Sequence, residues 1–201
     1  MQPAAAQTLV GTARVVDGDT LQLMGERVRL FGIDAPEAGQ ICLDAAGRGW
    51  DCGSFATAAL VALTATETRC EGQDRDRYGR LVARCYAGRA DIGAALVEAG
   101  AAFAYARYSS DYLALEARAS AARRGVWVGQ ADRPEVQRAK DSTEGAPVGC
   151  VIKGNISDNG KLYHLPGGRG YSATRIDTAR GERWFCTEDQ AIAAGWAKAR
   201  G

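Results

Sequence analysis

The run from Arg14 to Glu37, R-V-V-D-G-D-T-L-Q-L-M-G-E-R-V-R-L-F-G-I-D-A-P-E, constrains the fold of this chain more than any other stretch. The patterning predicts a first strand over 8–16, and Gly18 breaks it where Asp17 and Asp19 meet. Leu21 to Met24, a turn at Gly25, and Arg27 to Ile33 then read as a hairpin. By the period of two, Val28 and Leu30 face one side of the second strand while Arg27 and Arg29 face the other. Pro36 ends the run and fixes the backbone where Asp34 and Glu37 are displayed. Two neighbouring strands can thus bring several carboxylates and an arginine to one place.

Further along, Ser54 is the expected N-cap of a helix reaching about Ala65. Residues 68–71 and 81–87 read as strands joined by Q-D-R-D-R-Y-G, and Asp91 caps a helix with Ile92, Ala95, Leu96 and Ala99 on one face, stopped by Gly100. A third helix is expected from near Asp111 to Gly125. The sum is mainly β with helices (α+β): a small β-barrel with helical packing, occupying 8–131. The polar segment 132–147 reads as a linker. Residues 148–201 form a second small α+β unit whose helix is announced by the capping box from Thr187 to Gln190. Residues 1–7 read as a tail in which Ala4 to Ala6 look like the small-residue remnant beside a cleavage site, as in a mature exported protein.

Six cysteines, at 42, 52, 70, 85, 150 and 186, fall into three pairs by region, although fifteen connectivities are formally open. Cys70 and Cys85 lie nearly symmetric about a loop, where antiparallel strands would set them opposite each other. Cys42 and Cys52 sit in a Gly-rich insert beside Glu37, and Cys150 with Cys186 could staple a unit too small to stand without help. Periplasmic or secreted residence follows from that usage, against six buried thiols in a cytosolic protein. No stretch approaches the roughly 18 uncharged apolar residues of a membrane span. Up to Lys140 there are 17 basic and 17 acidic residues, and beyond it 8 and 7. Such balance argues against a protein that coats nucleic acid, yet allows one that grips one or two phosphates locally.

The sole histidine, His164, lies in the second unit, which excludes His-based triads and His-rich zinc sites from the first. Chemistry there rests on carboxylates, arginines and tyrosines, and carboxylates alone select a hard cation such as Ca²⁺ or Mg²⁺. Taken by themselves, Asp17 and Asp19 around Gly18 read as a turn. Tyr105 and Tyr108 read equally as packing or as a base-stacking wall.

Three separated motifs in order, V-V-D-G-D-T, R-L-F-G-I-D-A-P-E and D-R-Y-G-R, resemble the staphylococcal (micrococcal) nuclease or thermonuclease family over about Thr8 to Gly129. The resemblance implies a five-stranded OB-fold barrel packed with three helices. It also implies Ca²⁺-dependent hydrolysis of DNA and RNA, single-stranded or frayed, with little sequence preference, leaving 5′-hydroxyl and 3′-phosphate ends. Carried over by position, the calcium ligands fall on Asp19, Asp34 and the carbonyl of Ala35, where the family often has Thr. Glu37 matches the carboxylate that activates water, and Arg29 and Arg80 match the phosphate-binding arginines. Arg77, Tyr78 and Tyr105 fall at nucleotide contacts, and Asp17 supports the metal site or caps its turn. The C-terminal run resembles a short domain called sunset, with a fainter likeness to the zinc-binding domain of the Ada DNA-repair protein. That domain uses four cysteines, against Cys150, Cys186 and His164 here. A monomer is expected. The competing expectation is a non-catalytic exported OB-fold binding module, or an accessory of exopolysaccharide or envelope biogenesis.

Overall fold

The computed structural model describes residues 7–143, 145–158 and 160–199, so most of the expected tail, residues 1–6, lies outside the described residues. The chain divides between Pro134 and Glu135 into two units. In the first, strands β1 (Gln7–Gly11), β2 (Arg14–Val15), β3 (Thr20–Leu23), β4 (Glu26–Leu30), β5 (Ile33–Asp34), β6 (Ile41–Leu43) and β7 (Gly49–Asp51) precede helix α1 (Cys52–Leu63). Then come β8 (Thr68–Arg75), β9 (Leu81–Ala87), β10 (Ala90–Asp91), α2 (Ile92–Glu98), β11 (Phe103–Ala104) and α3 (Leu113–Ala121). The main sheet runs in the order β1-β8-β9-β4-β3-β2, with β10 on β9.

Alternation builds its interior. Leu9, Leu21, Leu23, Val28, Leu30, Leu81 and Ala83 point inward and meet Leu60 of α1 and Ile92 and Leu96 of α2. The β3–β4 hairpin turns on Met24 and Gly25, both at positive φ, the two-residue turn whose twist matches that of the strands. Strand β4 joins β9 in parallel, pairing Val28 with Leu81 and Leu30 with Ala83, and this pairing knits the early hairpin to the later one. The five longer strands, β1, β3, β4, β8 and β9, and three helices form an OB-fold with a curled half-barrel sheet.

One local expectation is corrected. Asp51, not Ser54, caps α1: its carboxylate accepts the Ser54 N–H at 2.8 Å, while Ser54 Oγ donates back to Asp51 Oδ2 at 2.7 Å. Ser54 is a polar first-turn residue, the third of a helix that already begins at Cys52. The polar segment expected as a linker contains α4 (Pro134–Thr143). Proline at the first helical position and Glu135 in the first turn suit a helix start, so composition that reads as a linker also serves a solvent-facing helix.

The second unit holds β12 (Ile152–Ser157), β13 (Gly160–His164), β14 (Arg183–Phe185), α5 (Glu188–Ala193) and β15 (Ala197–Lys198), in the sheet order β14-β12-β13-β15. Its core is small: Ile152, Tyr163, Phe185, Ala191 and Trp196. Thr187 caps α5 by accepting the Gln190 N–H. Lys153 is buried on the other side of the sheet, where its ammonium donates to the carbonyls of Tyr171 at 2.8 Å and Thr174 at 2.6 Å.

Three disulfides form by region: Cys42–Cys52, Cys70–Cys85 and Cys150–Cys186. Cys70 and Cys85 are direct partners in the β8–β9 register. Among the described residues no helix is long and apolar enough to cross a membrane. Replacing Cys150 and Cys186 together with serine is expected to cost the second unit about 4 kcal/mol by chain entropy, given a closed loop of that length. Calorimetry of the full chain should show its transition shifted down while that of the barrel stays in place.

Candidate active site

The site is assembled from three short segments of the first unit. The Asp17-Gly18-Asp19 turn precedes β3, Arg29 lies on β4, and Asp34 ends β5. Gly18 permits the approach: a methyl there would lie 2.8 Å from the side-chain carbons of both Ala35 and Ala56. The turn is closed by the Asp19 N–H donating to Asp17 Oδ1 at 3.1 Å, which places Asp17 as a turn cap.

Asp19 and Asp34 are both buried, at 6% and 1% exposure. The Arg29 guanidinium spans them, Nη1 donating to Asp19 Oδ1 at 2.8 Å and Nη2 to Asp34 Oδ1 at 2.6 Å. The Ala35 N–H reaches Asp19 Oδ2 at 3.2 Å, so the segment after Asp34 is tied to Asp19 as well. Burial pushes the Asp19 carboxyl up to about 6, against the pull of Arg29, and the neighbouring charges of Asp17 and Asp34 push the same way.

Arg80 arrives from the β8–β9 turn. Its Nε donates to Asp76 Oδ2 at 2.7 Å, and its Nη1 to Thr20 Oγ1 at 3.1 Å. Thr20, fully buried, donates its hydroxyl to Asp19 Oδ1 at 3.0 Å, so Arg80, Thr20 and Asp19 form one chain of hydrogen bonds. Burial opposes ionisation of Asp76, but the Arg80 side chain and the N–H groups of Arg80 and Tyr78 hold it below the usual carboxylate range. Arg77 and Tyr78 sit in the same turn, with the Arg77 guanidinium 4.8 Å and that of Arg80 5.6 Å from the exposed Tyr78 ring.

Tyr105 follows β11, which pairs Phe103 with Asp34, and its N–H donates to the Gly32 carbonyl. Its ring meets that of Tyr108 at 5.0 Å. Glu37 is half-buried on the segment leaving Asp34, and its N–H donates to Gln40 Oε1 at 3.0 Å.

Asp19, Arg29, Asp34 and the Ala35 backbone are therefore in direct contact, Arg80 joins them through Thr20, and Glu37 is held from Gln40. Thr20, Gln40 and Asp76 had not been singled out. The first stands inside V-V-D-G-D-T and the last at i, i+4 from Arg80, a local signal in both cases, whereas Gln40 makes contacts that no local pattern announces.

Hard oxygen donors, two of them buried carboxylates served by one shared guanidinium, fit a hard divalent cation. Among the described residues no three His, Cys, Asp or Glu side chains are grouped as a metal cage.

The first unit is thus an OB barrel with acidic and guanidinium side chains gathered on its early hairpin and the β8–β9 turn. Residues 27–129 match the Staphylococcal nuclease homologue family, and the chain belongs to that family. Relatives include the succinoglycan biosynthesis protein ExoI of Rhizobium meliloti (strain 1021), 46% identical over 99 residues. That match covers 48% of this chain and 52% of ExoI, so the chain spans about half of that relative. An uncharacterized endonuclease of Escherichia coli O157:H7 is 35% identical over 57% of this chain and 73% of its own length. A micrococcal nuclease of Shigella flexneri is 33% identical over 62% and 76%.

Because the native state holds the Asp19 proton more tightly than the unfolded chain does, metal-free stability should fall as pH rises from near 4 to near 6. The penalty is fully present above that. Thermal unfolding in EDTA should show this fall in the parent protein and a flatter profile in Asp19→Asn.

Proposed function

We propose that this protein is a calcium-dependent endonuclease that hydrolyses DNA and RNA with little sequence preference, favouring single-stranded or frayed substrate. The observation that carries the reading is the guanidinium of Arg29 laid across two buried carboxylates, with a second guanidinium, Arg80, linked to the same carboxylate pair through Thr20. Asp19, Asp34 and the Ala35 carbonyl would hold the calcium ion, which when bound supplies positive charge at the scissile phosphate. Glu37 accepts a proton from the water that attacks phosphorus. Arg29 and Arg80 donate to the non-bridging oxygens as negative charge builds there, and Arg80 also serves the leaving oxygen. The bond from phosphorus to the 5′-oxygen breaks, the leaving oxygen takes a proton from water, and the products carry a 5′-hydroxyl and a 3′-phosphate. Tyr78, Arg77 and Tyr105 form the nucleotide contact surface, the rings through stacking that tolerates any base.

Three disulfides among the described residues support residence in the periplasm or outside the cell. The domain reading that goes with this function assigns catalysis to the barrel and leaves the second unit a separate role.

A second reading draws on the 46% identity to ExoI: an exported OB-fold accessory of exopolysaccharide biogenesis that binds without cleaving. Titration of Ca²⁺ with a nucleoside 3′,5′-bisphosphate separates the two, since tight metal-dependent binding belongs to the nuclease.

Denatured DNA should be digested at millimolar Ca²⁺ and spared in EDTA. Loss of either arginine should slow the reaction about 10²-fold or more, and Glu37→Gln by roughly 10² to 10⁴. Intact DNA and RNA at millimolar Ca²⁺, with Glu37→Gln indistinguishable from the parent, would rule the enzyme out.

A further inference from the structure

Gln40 is 3% exposed, in a segment whose neighbours Ala38, Gly39 and Ile41 are exposed. A buried amide must be hydrogen-bonded to be tolerated, and this one uses every polar atom it has. Oε1 accepts the Glu37 N–H at 3.0 Å, and the Gln40 N–H donates to the Glu37 carbonyl at 2.9 Å, so Glu37 is held on both sides of its peptide backbone. Nε2 donates to the Asp132 carbonyl at 2.9 Å, 92 residues away in sequence. The Gln40 carbonyl accepts the N–H groups of Cys52 at 3.1 Å and Gly53 at 3.3 Å, at the start of α1. Gly53 lies so close that a methyl there would overlap the Glu37 carbonyl.

Asp132 is itself anchored. The next residue, Arg133, donates to the Ala104 carbonyl at 3.3 Å and to Glu116 at 2.9 Å, with its guanidinium 5.1 Å from the Phe103 ring centroid. Phe103 and Ala104 form β11, whose register partner for Phe103 is Asp34. The contacts therefore close a ring: Asp34 to β11, β11 to Arg133, Asp132 to Gln40, Gln40 to Glu37, and back along the chain to Asp34. Two routes, one covalent and one through Gln40, set Glu37 against Asp34.

We propose that Gln40 is a positioning residue, whose side chain fixes Glu37 relative to the carboxylate pair through the Asp132 carbonyl. The inference rests on the role given above to Glu37. A leucine at 40 would fill the same space without either side-chain bond, and misplacement of a reacting group by about 1 Å can cost about 10²-fold in rate.

In the full chain, Gln40→Leu should lower kcat on denatured DNA by about 10- to 100-fold, with KM and the half-saturating Ca²⁺ concentration little changed. Gln40→Glu keeps an acceptor for the Glu37 N–H and loses the donor to Asp132, so it should recover part of that rate. Because the effect acts through Glu37, adding either substitution to Glu37→Gln should slow the residual reaction no further. Should Gln40→Leu fail to fold, judged by near-ultraviolet circular dichroism and melting, the same cycle is run with Gln40→Glu. An unchanged kcat, a loss that appears in KM alone, or a loss that multiplies in full into the Glu37→Gln background would each overturn the proposal. The last of these, with Glu37→Gln itself impaired, leaves the role of Glu37 standing, whereas a fully active Glu37→Gln removes both.

Discussion

Asp19 and Asp34 are buried side by side, and a single guanidinium stands between them. Arg29 reaches Asp19 with one nitrogen and Asp34 with another, a fork that lysine could not reproduce with the same fixed geometry. The contact fastens the start of β3, the middle of β4 and the end of β5 to one another, so the architecture of the early barrel and the electrostatics of the site are the same object. Asp19 remains pushed up to about 6 in spite of it.

Much of this was legible in residues close together in sequence. The hairpin turning at Gly25, the outward face of Arg29 and the Asp91 cap follow from periodicity and turn chemistry, which are local properties. The three cystines also followed region by region, since each joins cysteines of one neighbourhood. What was not legible depends on distance or on competition. Asp51 and Ser54 are both good caps three residues apart, and only the actual start of the helix decides between them. Thr20 is an ordinary strand residue until the turn carrying Arg80 arrives 60 residues later. Gln40 finds its partner at Asp132, and the polar composition of 134–143 hides a helix because it lacks the apolar stripe by which helices are recognised.

The two units solve the same problem at different scale. The barrel buries most of its aliphatic residues in one large cluster that includes Cys70 and Cys85, while Cys42 and Cys52 sit in a smaller one with Phe103 and Val126. The second unit has five buried core residues, a lysine whose charge is satisfied by loop carbonyls, and a cystine joining residues that precede β12 and follow β14.

The placement of Cys70 opposite Cys85 bears on how the β8–β9 hairpin comes to be right. A slip of one residue would turn each side chain to the other face of the sheet and carry the two sulfurs out of bonding reach. Between the cystine and the turn that carries Arg80, the native register itself shifts once, between Gly72 and Asp74. Oxidation can seal the strands only where Cys70 faces Cys85. The cystine therefore acts as a proofreader of strand alignment at the root of the hairpin.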